Sequence, residues 1–408
     1  MVRDRVRKGG GTVRIMWFCI PAYGHTNPTV EFVRELVRRG HEIRYYSFEA
    51  FRSRIEAAGA AFVPCDRFLP PLTEAGRRRL KKVSTTEMSV QSFRTTANMD
   101  AMLDRDIAAF RPDLVVSDSA CFWGKLAAMK HRLPLVCSTT TFAFNRHSAQ
   151  YMKQSPSEIA DLVLGLPRLN REAKKLAALG YPVRSALEIV QNDNDTDTVV
   201  YTSPRFQPCS ETFNPERYRF VGPCVRDIAP KPKNGRPLVY ISLGTVINDR
   251  PDFYKACVEA LGDAPVEALI ACGGDFDPAR LGPLPGNIDV EPSVDQMEVL
   301  SRASLFITHC GMNSASEGLY MGVPELLYPQ TGEQRAVARR VLEMGAGRTL
   351  PEADAHDPRR LRALVTDALS DEALKRAALA MRNDLRACGG ARAAADFVEK
   401  IPLVNSGA

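Results

Sequence analysis

The sequence has no C-x-x-C pair, although it carries ten cysteines. Their spacing is irregular, which excludes a zinc ribbon, a thioredoxin-like redox motif and a regular disulfide framework. Cys19, Cys137, Cys257 and Cys272 lie within apolar runs, so buried, reduced thiols in a cytoplasmic protein are expected. No apolar stretch is long enough to span a bilayer. The run from Ile15 to Ala22 is short and leads to no cleavage site, so neither a signal peptide nor a membrane span is expected. G-x-S-x-G, the P-loop and H-E-x-x-H are missing as well. A calcium loop begins at Asp193, Asp195 and Asp197 but has Thr198 in place of the required glycine and Pro204 in place of the closing glutamate. Asp104-Arg105-Asp106 and Asp275-Phe276-Asp277 lack the preceding apolar strand of a metal-binding triplet and read as solvated carboxylates, so no metal is expected. Strong charge of one sign is also lacking. The net charge of +6 is spread along the chain, with basic clusters at Arg3, Arg5, Arg7 and Lys8 and at Arg77 to Lys82. No nucleic-acid motif accompanies either cluster, and both read as solvated segments.

What is present is a pattern of short apolar strands, polar turns and helices that runs its course and then restarts. A chain of 408 residues suggests two domains. Residues 1–11 are charged and glycine-rich and read as a disordered tail. Residues 12–229 form a first α/β domain, and 230–237 (PKPKNGRP) a proline-rich linker. A second α/β domain covers 238–385, and 386–408 carry a C-terminal helix returning to the first domain. Strand, turn, helix, strand is the unit of a parallel sheet, so the fold class is α/β with two Rossmann-like domains. Ligands bind outside the carboxyl ends of such strands, which places a cleft between the loops of the two domains.

Three sites at those ends carry candidate chemistry. Val13 to Ile20 reads as the first strand, Pro21 to Asn27 as its loop, and Pro28 as the first residue of a helix capped by Asn27 or Thr26. His25 then lies on the loop. It is either a satisfied structural histidine or a general base, since a neutral imidazole has a pKa close to working pH. Asp118 ends the strand DLVVSD and is either a helix cap or the carboxylate that orients His25. Gly244 and Thr245 follow the first strand of the second domain, where a glycine lets backbone approach an anion. The third site is the run from His309 to Gln334, HCGMNSASEGLYMGVPELLYPQTGEQ. There Ser314 and Glu317 have the S-x-x-E spacing of a capping box, with a helix expected over 315–321. The start of a helix here also suits a phosphate.

Taken whole, that run resembles the nucleotide-sugar signature of family 1 glycosyltransferases, close to the bacterial macrolide-glycosyltransferase branch. GHTNP around His25 and SLGT at Ser242 to Thr245 are similar to motifs of the same enzymes. The resemblance implies the glycosyltransferase B-type fold and an inverting, metal-independent transfer of a hexose, glucose, from UDP to a hydroxyl. The acceptor it implies is a small hydrophobic natural product such as a macrolide, polyketide or phenol. It implies His25 as the base and Asp118 as its partner. It carries His309, Gly311, Asn313, Ser314, Gly244 and Thr245 to the donor diphosphate, Glu317 to the ribose, and Glu333 and Gln334 to the transferred sugar. The nucleotide sugar is a co-substrate, and no cofactor is implied. Glu333-Gln334 offers hydrogen bonds suited to a sugar with several hydroxyls.

The resemblance is loose between residues 66 and 200 and departs in the donor half. Ser293 stands where relatives stack an aromatic ring on the base, Asp295 where many have proline, and Met312 where plant members have tryptophan. Gln296 and the backbone of Val294 are left to read the base edge. Phe68, Trp123, Phe142, Phe144 and His147 are the acceptor-wall candidates, with ordinary core packing as their other reading. Two further readings stay open: a nucleotide-sugar isomerase of the 2-epimerase type on the same fold, and a non-catalytic nucleotide-sugar-binding partner. The residues do not choose between UDP and dTDP or between monomer and homodimer, and they identify no acceptor.

Overall fold

The computed structural model describes residues 11–69, 84–151, 156–186, 195–231, 235–274 and 276–403. The tail at 1–10, the basic cluster at Arg77 to Lys82, the middle of the proline-rich linker (232–234), Asp193 and Asp275 fall outside the described residues. The chain forms two compact units. The first runs to Tyr201, includes Cys209–Cys224 and takes up the chain again from Ala391; the second comprises Thr202–Pro208 and Val225–Gly390. The division therefore falls at Val225 and Gly390, rather than at 230–237 and 385. Side chains explain the shift. Val225 and Ile228 pack on the second unit's core, and Arg340 holds Thr202–Pro208 by donating to the Phe206 carbonyl at 3.0 Å.

The first unit is a seven-stranded sheet of order β3-β2-β1-β4-β5-β6-β7. Its strands are β1 Arg14–Phe18, β2 Glu42–Ser47, β3 Ala61–Pro64, β4 Leu114–Asp118, β5 Leu135–Thr139, β6 Asp197–Val200 and β7 Tyr218–Phe220. The second is a six-stranded sheet of order β10-β9-β8-β11-β12-β13. Its strands are β8 Leu238–Ser242, β9 Glu267–Ala271, β10 Ile288–Glu291, β11 Leu305–Thr308, β12 Glu325–Leu327 and β13 Gly347–Thr349. Every pairing is parallel. Parallel sheets bury both faces, which is why LVYIS and LFIT are almost continuously apolar and wholly buried. In both sheets the strand order reverses beside the first strand, between β1 and β4 and between β8 and β11. A crevice opens at such a switch point, outside the carboxyl ends.

Several elements depart from the sequence reading. Gly347–Thr349 has no apolar side chain to mark it as a strand, and the helix Gly332–Glu343 buries only a narrow stripe, Ala336, Val337, Ala338 and Val341. In place of one C-terminal helix over 386–408, the C-terminal segment carries three in succession, Pro358–Ser370, Glu372–Ala387 and Gly390–Val398. Asp371 breaks it by capping the Ala373 and Leu374 amides, and Gly389 breaks it with φ +89. The last helix packs Ala394, Ala395 and Val398 into the first unit's core, and Arg39 there bonds Asp396 at 2.7 Å and Glu399 at 2.8 Å. Glu325 is fully buried on β12, and among the described residues neither carboxyl oxygen has a hydrogen-bond partner. Burial pushes its pKa well above the carboxylate range, and its Oε1 lies where a Cβ on Gly318 would fall.

Candidate active site

In the first unit the helix Tyr23–Arg38 starts five residues earlier than Pro28 suggested, with Ala22 as the cap and no side-chain cap bond. The Ala22 carbonyl accepts from the Thr26 amide at 2.9 Å, so the turn closes before the proline. Pro28 lies inside the helix, and neither Asn27 nor Thr26 caps it. His25 is thus held on the helix's first turn, not on a free loop. Its Nδ1 lies 2.7 Å from Asp118 Oδ2 and 3.0 Å from Thr140 Oγ1. Asp118 is buried at the end of β4, and its Oδ1 accepts from the Ala120 amide at 2.8 Å. The neighbouring helix Phe122–His131 is capped at Cys121, so Asp118 is not its cap. An ionised carboxylate only accepts, so this arrangement places a proton on Nδ1 and leaves Nε2 able to take one. The thiols nearby are inert: burial first, and the Asp118 charge second, push Cys19 and Cys121 upward.

The acceptor-wall candidates separate. Trp123 is 2% and Phe142 5% exposed, which makes both core residues and corrects their assignment to a ligand-facing wall. Phe68 packs partly against the core with the Arg67 guanidinium over its ring. His147 is exposed and its Nε2 accepts from Arg146 at 3.0 Å. Phe144, 46% exposed, is the one large apolar ring of the five on the surface.

In the second unit the loop after β8 turns at Gly244, with φ +76. A Cβ on Gly244 would lie 2.6 Å from the His309 ring, and one on Gly311 2.5 Å from its Nε2. Two glycines therefore clasp the imidazole. Its Nδ1 is buried without a hydrogen bond of ordinary geometry. Burial lowers the pKa to about 4, with the Ser242 backbone acting against the shift. The ring is neutral at pH 7.

Cys310, with φ 62, leads into the helix Met312–Met321, whose cap is Gly311. That helix begins three residues before Ala315, so Ser314 lies inside its first turn and the capping box with Glu317 is not formed. Asn313 and Ser314 sit where the amides of a helix have no acceptor within it, the arrangement that suits an anion. The capping box in this region is Thr331 with Gln334. It engages the Gln334 Oε1, which accepts from the Gln330 amide at 2.7 Å and the Thr331 amide at 3.2 Å. The Gln334 side-chain amide nitrogen takes no part in that box, and Glu333 lies exposed on the same first turn. Thr245 is exposed on its loop, next to Gly244.

Gln296 is likewise not disposed to read a base. Its Oε1 accepts from the Tyr240 hydroxyl at 3.2 Å, and its Nε2 donates to Glu317 Oε2 at 2.6 Å. Burial raises the Glu317 carboxyl to about 7, with the Gln296 amide opposing the shift. Val294 packs against the core, Ser293 is exposed, and Asp295 caps the helix Gln296–Leu300 and pairs with Arg226. Asp104 bonds Lys130 and His131, and Asp106 accepts from Tyr46. Among the described residues no group of three or more His, Cys, Asp or Glu is placed to hold a metal ion. Among them, too, no helix is long and apolar enough to cross a membrane.

Four residues went unseen in the sequence: Thr140, Tyr240, Asn248 and Gln330. Asn248 donates to the Gly244 carbonyl at 3.1 Å and Gln330 to the Ile247 carbonyl at 3.1 Å, so both brace the Gly244 loop. Thr140 follows directly on the end of β5, a place that could have flagged it; mid-strand Tyr240 carried no signal.

Two Rossmann-like parallel sheets, each with its polar residues at the switch point, make the GT-B glycosyltransferase fold. Solved structures agree: the glycotransferase of kitacinnamycin matches with TM-score 0.80 and 28% identity over 96% of this chain and 99% of its own. The calicheamicin glycosyltransferase CalG4 matches with TM-score 0.77 and 29% identity over 95% and 98%. Residues 256–395 fit the family described as erythromycin biosynthesis protein CIII-like, C-terminal domain. Demethyllactenocin mycarosyltransferase of Streptomyces fradiae is 33% identical over 94% of this chain and 86% of its own length. NDP-glycosyltransferase YjiC of Bacillus licheniformis is 33% identical over 95% and 98%. The chain belongs to the family 1 glycosyltransferases, in the bacterial macrolide-type branch.

Proposed function

We propose that this enzyme transfers a hexose, glucose, with inversion from a UDP-sugar to a hydroxyl of a small hydrophobic natural product such as a macrolide, polyketide or phenol. The observation that carries the reading is the 2.7 Å contact between His25 Nδ1 and Asp118 Oδ2 at the switch point of the first sheet. With Nδ1 held, His25 Nε2 takes the acceptor's hydroxyl proton as the acceptor oxygen bonds to the anomeric carbon. The bond from that carbon to the diphosphate oxygen breaks, and the electron pair leaves with the nucleoside diphosphate. Asp118 stabilises the imidazolium formed, in the manner of other histidine–carboxylate pairs.

The leaving charge falls to the second unit. His309 is kept neutral by burial and so donates an N–H without itself needing a counter-ion. Thr245, Asn313, Ser314 and the start of the helix Met312–Met321 add donors, the kind of preorganised stabilisation that acts where charge develops. Glu317 holds the ribose and Glu333 the sugar. The reading asks no metal of the site. Support for a natural-product acceptor comes from relatives named for such compounds, the demethyllactenocin, oleandomycin and calicheamicin enzymes.

The test is a mass-spectrometric screen of UDP- and dTDP-sugars against macrolide, polyketide and phenol acceptors, with and without EDTA. We expect a hexoside of opposite anomeric configuration to the donor, formed equally in EDTA. Undiminished transfer by His25→Ala would overturn the assignment of the base. Interconversion of the donor without any acceptor would point to isomerase chemistry instead.

A further inference from the structure

Tyr240 is 1% exposed and stacked on Phe306, with ring centres 4.8 Å apart and planes at 14°. Its hydroxyl therefore has a fixed position, and it donates to Gln296 Oε1 at 3.2 Å. Fixing one end of a planar amide fixes the other. The Gln296 nitrogen meets Glu317 Oε2 at 2.6 Å and lies 3.5 Å from Ser314 Oγ. Among the described residues no hydrogen bond reaches Glu317 Oε1. A carboxylate that binds a vicinal diol offers one oxygen to each hydroxyl. Here one oxygen is already engaged by the protein.

We infer that Tyr240, acting through Gln296, is a positioning residue that leaves Glu317 one oxygen wholly for the donor's ribose and the other shared with the protein. The site then takes ribonucleoside and 2′-deoxyribonucleoside diphosphates with similar affinity, because both carry the 3′-hydroxyl and the 2′-hydroxyl has to share Oε2 with the Gln296 amide. The inference rests on the donor reading above and deepens it: tolerance of the missing hydroxyl admits thymidine as well as uridine donors.

Calorimetric titration of the full chain at pH 8.5, where Glu317 is charged, tests this with UDP, 2′-deoxy-UDP and dTDP. The first two differ only in the hydroxyl at issue. Wild-type Kd values for that pair are expected within about threefold of each other. Gln296→Leu frees Oε2, and UDP should then be preferred by about tenfold or more. Tyr240→Phe deletes one hydroxyl from a packed ring and should move the ratio the same way by a smaller factor, with an unchanged melting curve. In turnover the change falls on KM for the donor and not on kcat. A wild-type preference for UDP of about tenfold, or two variants that keep the wild-type ratio, would overturn the inference while leaving the donor reading intact. If none of the three nucleotides binds wild type at about 1 mM, both fall together.

Discussion

His25 and His309 stand on opposite sides of the switch points of two sheets of like topology, His25 after β1 and His309 after β11, and the two rings are held in opposite ways. His25 has two oxygens on Nδ1, those of Asp118 and Thr140. Among the described residues no carboxylate bonds His309, which sits between two glycines and is driven by burial to a pKa of about 4. On the proposed mechanism the contrast follows from charge. A group that gains a proton during turnover needs an anion waiting for the resulting cation. A group that only donates to an anionic ligand is better kept neutral and close-packed. The switch-point topology supplies position in both units; the partners supply the chemistry.

The sharpest way to break the comparison is His25→Ala. Transfer should fall by about 10²- to 10⁴-fold, the usual contribution of a general base, while calorimetry gives an unchanged Kd for UDP. If the two histidines had exchangeable roles, donor binding would fall as well. Asp118→Asn keeps the shape but removes the anion, and we expect a loss of about 10²-fold in kcat with KM for the donor preserved. Gly244→Ala strikes the other histidine. The added methyl lies 2.6 Å from the His309 ring, on a backbone with φ +76. Donor affinity should weaken by about tenfold and stability by about 1–3 kcal/mol, read by titration and thermal melting.

A pH series sharpens the contrast further. Glu317 is raised to about 7 by burial, so it is charged above that pH and neutral below it. Donor affinity should therefore decline severalfold from pH 8 to pH 6, about the span of this titration, and Glu317→Gln, which serves as the baseline for the phosphate's own titration, should flatten the decline. The sign for folding is opposite: because the folded pKa lies above the ordinary value of 4.5, the stabilisation is complete below 4.5 and is lost as pH rises toward about 7. The smallest expected effect is Thr140→Val. Losing one hydrogen bond of about 1 kcal/mol to His25 should lower kcat about threefold to tenfold, with Thr140→Ser restoring it.

Much of this could be read from residues in order. The apolar strands, the restart of the pattern after residue 230 and the motifs around His25, Gly244 and His309 follow from local periodicity and from side chains close in sequence. Helix starts did not follow. The spacing of Ser314 and Glu317 matched a capping box as well as that of Thr331 and Gln334 does, but Cys310 at φ 62 and Gly311 start that helix three residues sooner. Pro28 misled in the same way: the turn already closes from the Thr26 amide to the Ala22 carbonyl, so the proline falls inside the helix, where its missing N–H leaves the ladder one hydrogen bond short.

The sequence by itself determined that two α/β units exist and which residue types stand at the ends of their strands, since those depend on hydrophobic period and local turn chemistry. Only the tertiary structure decided which of those residues act together. Asp118 meets His25 across 93 positions, Gly244 makes room for a ring 65 positions away (309 − 244), and Tyr240 reaches Glu317 through Gln296. Such pairings depend on strand order and on how closely backbones approach, and neither is written in any single stretch of the chain.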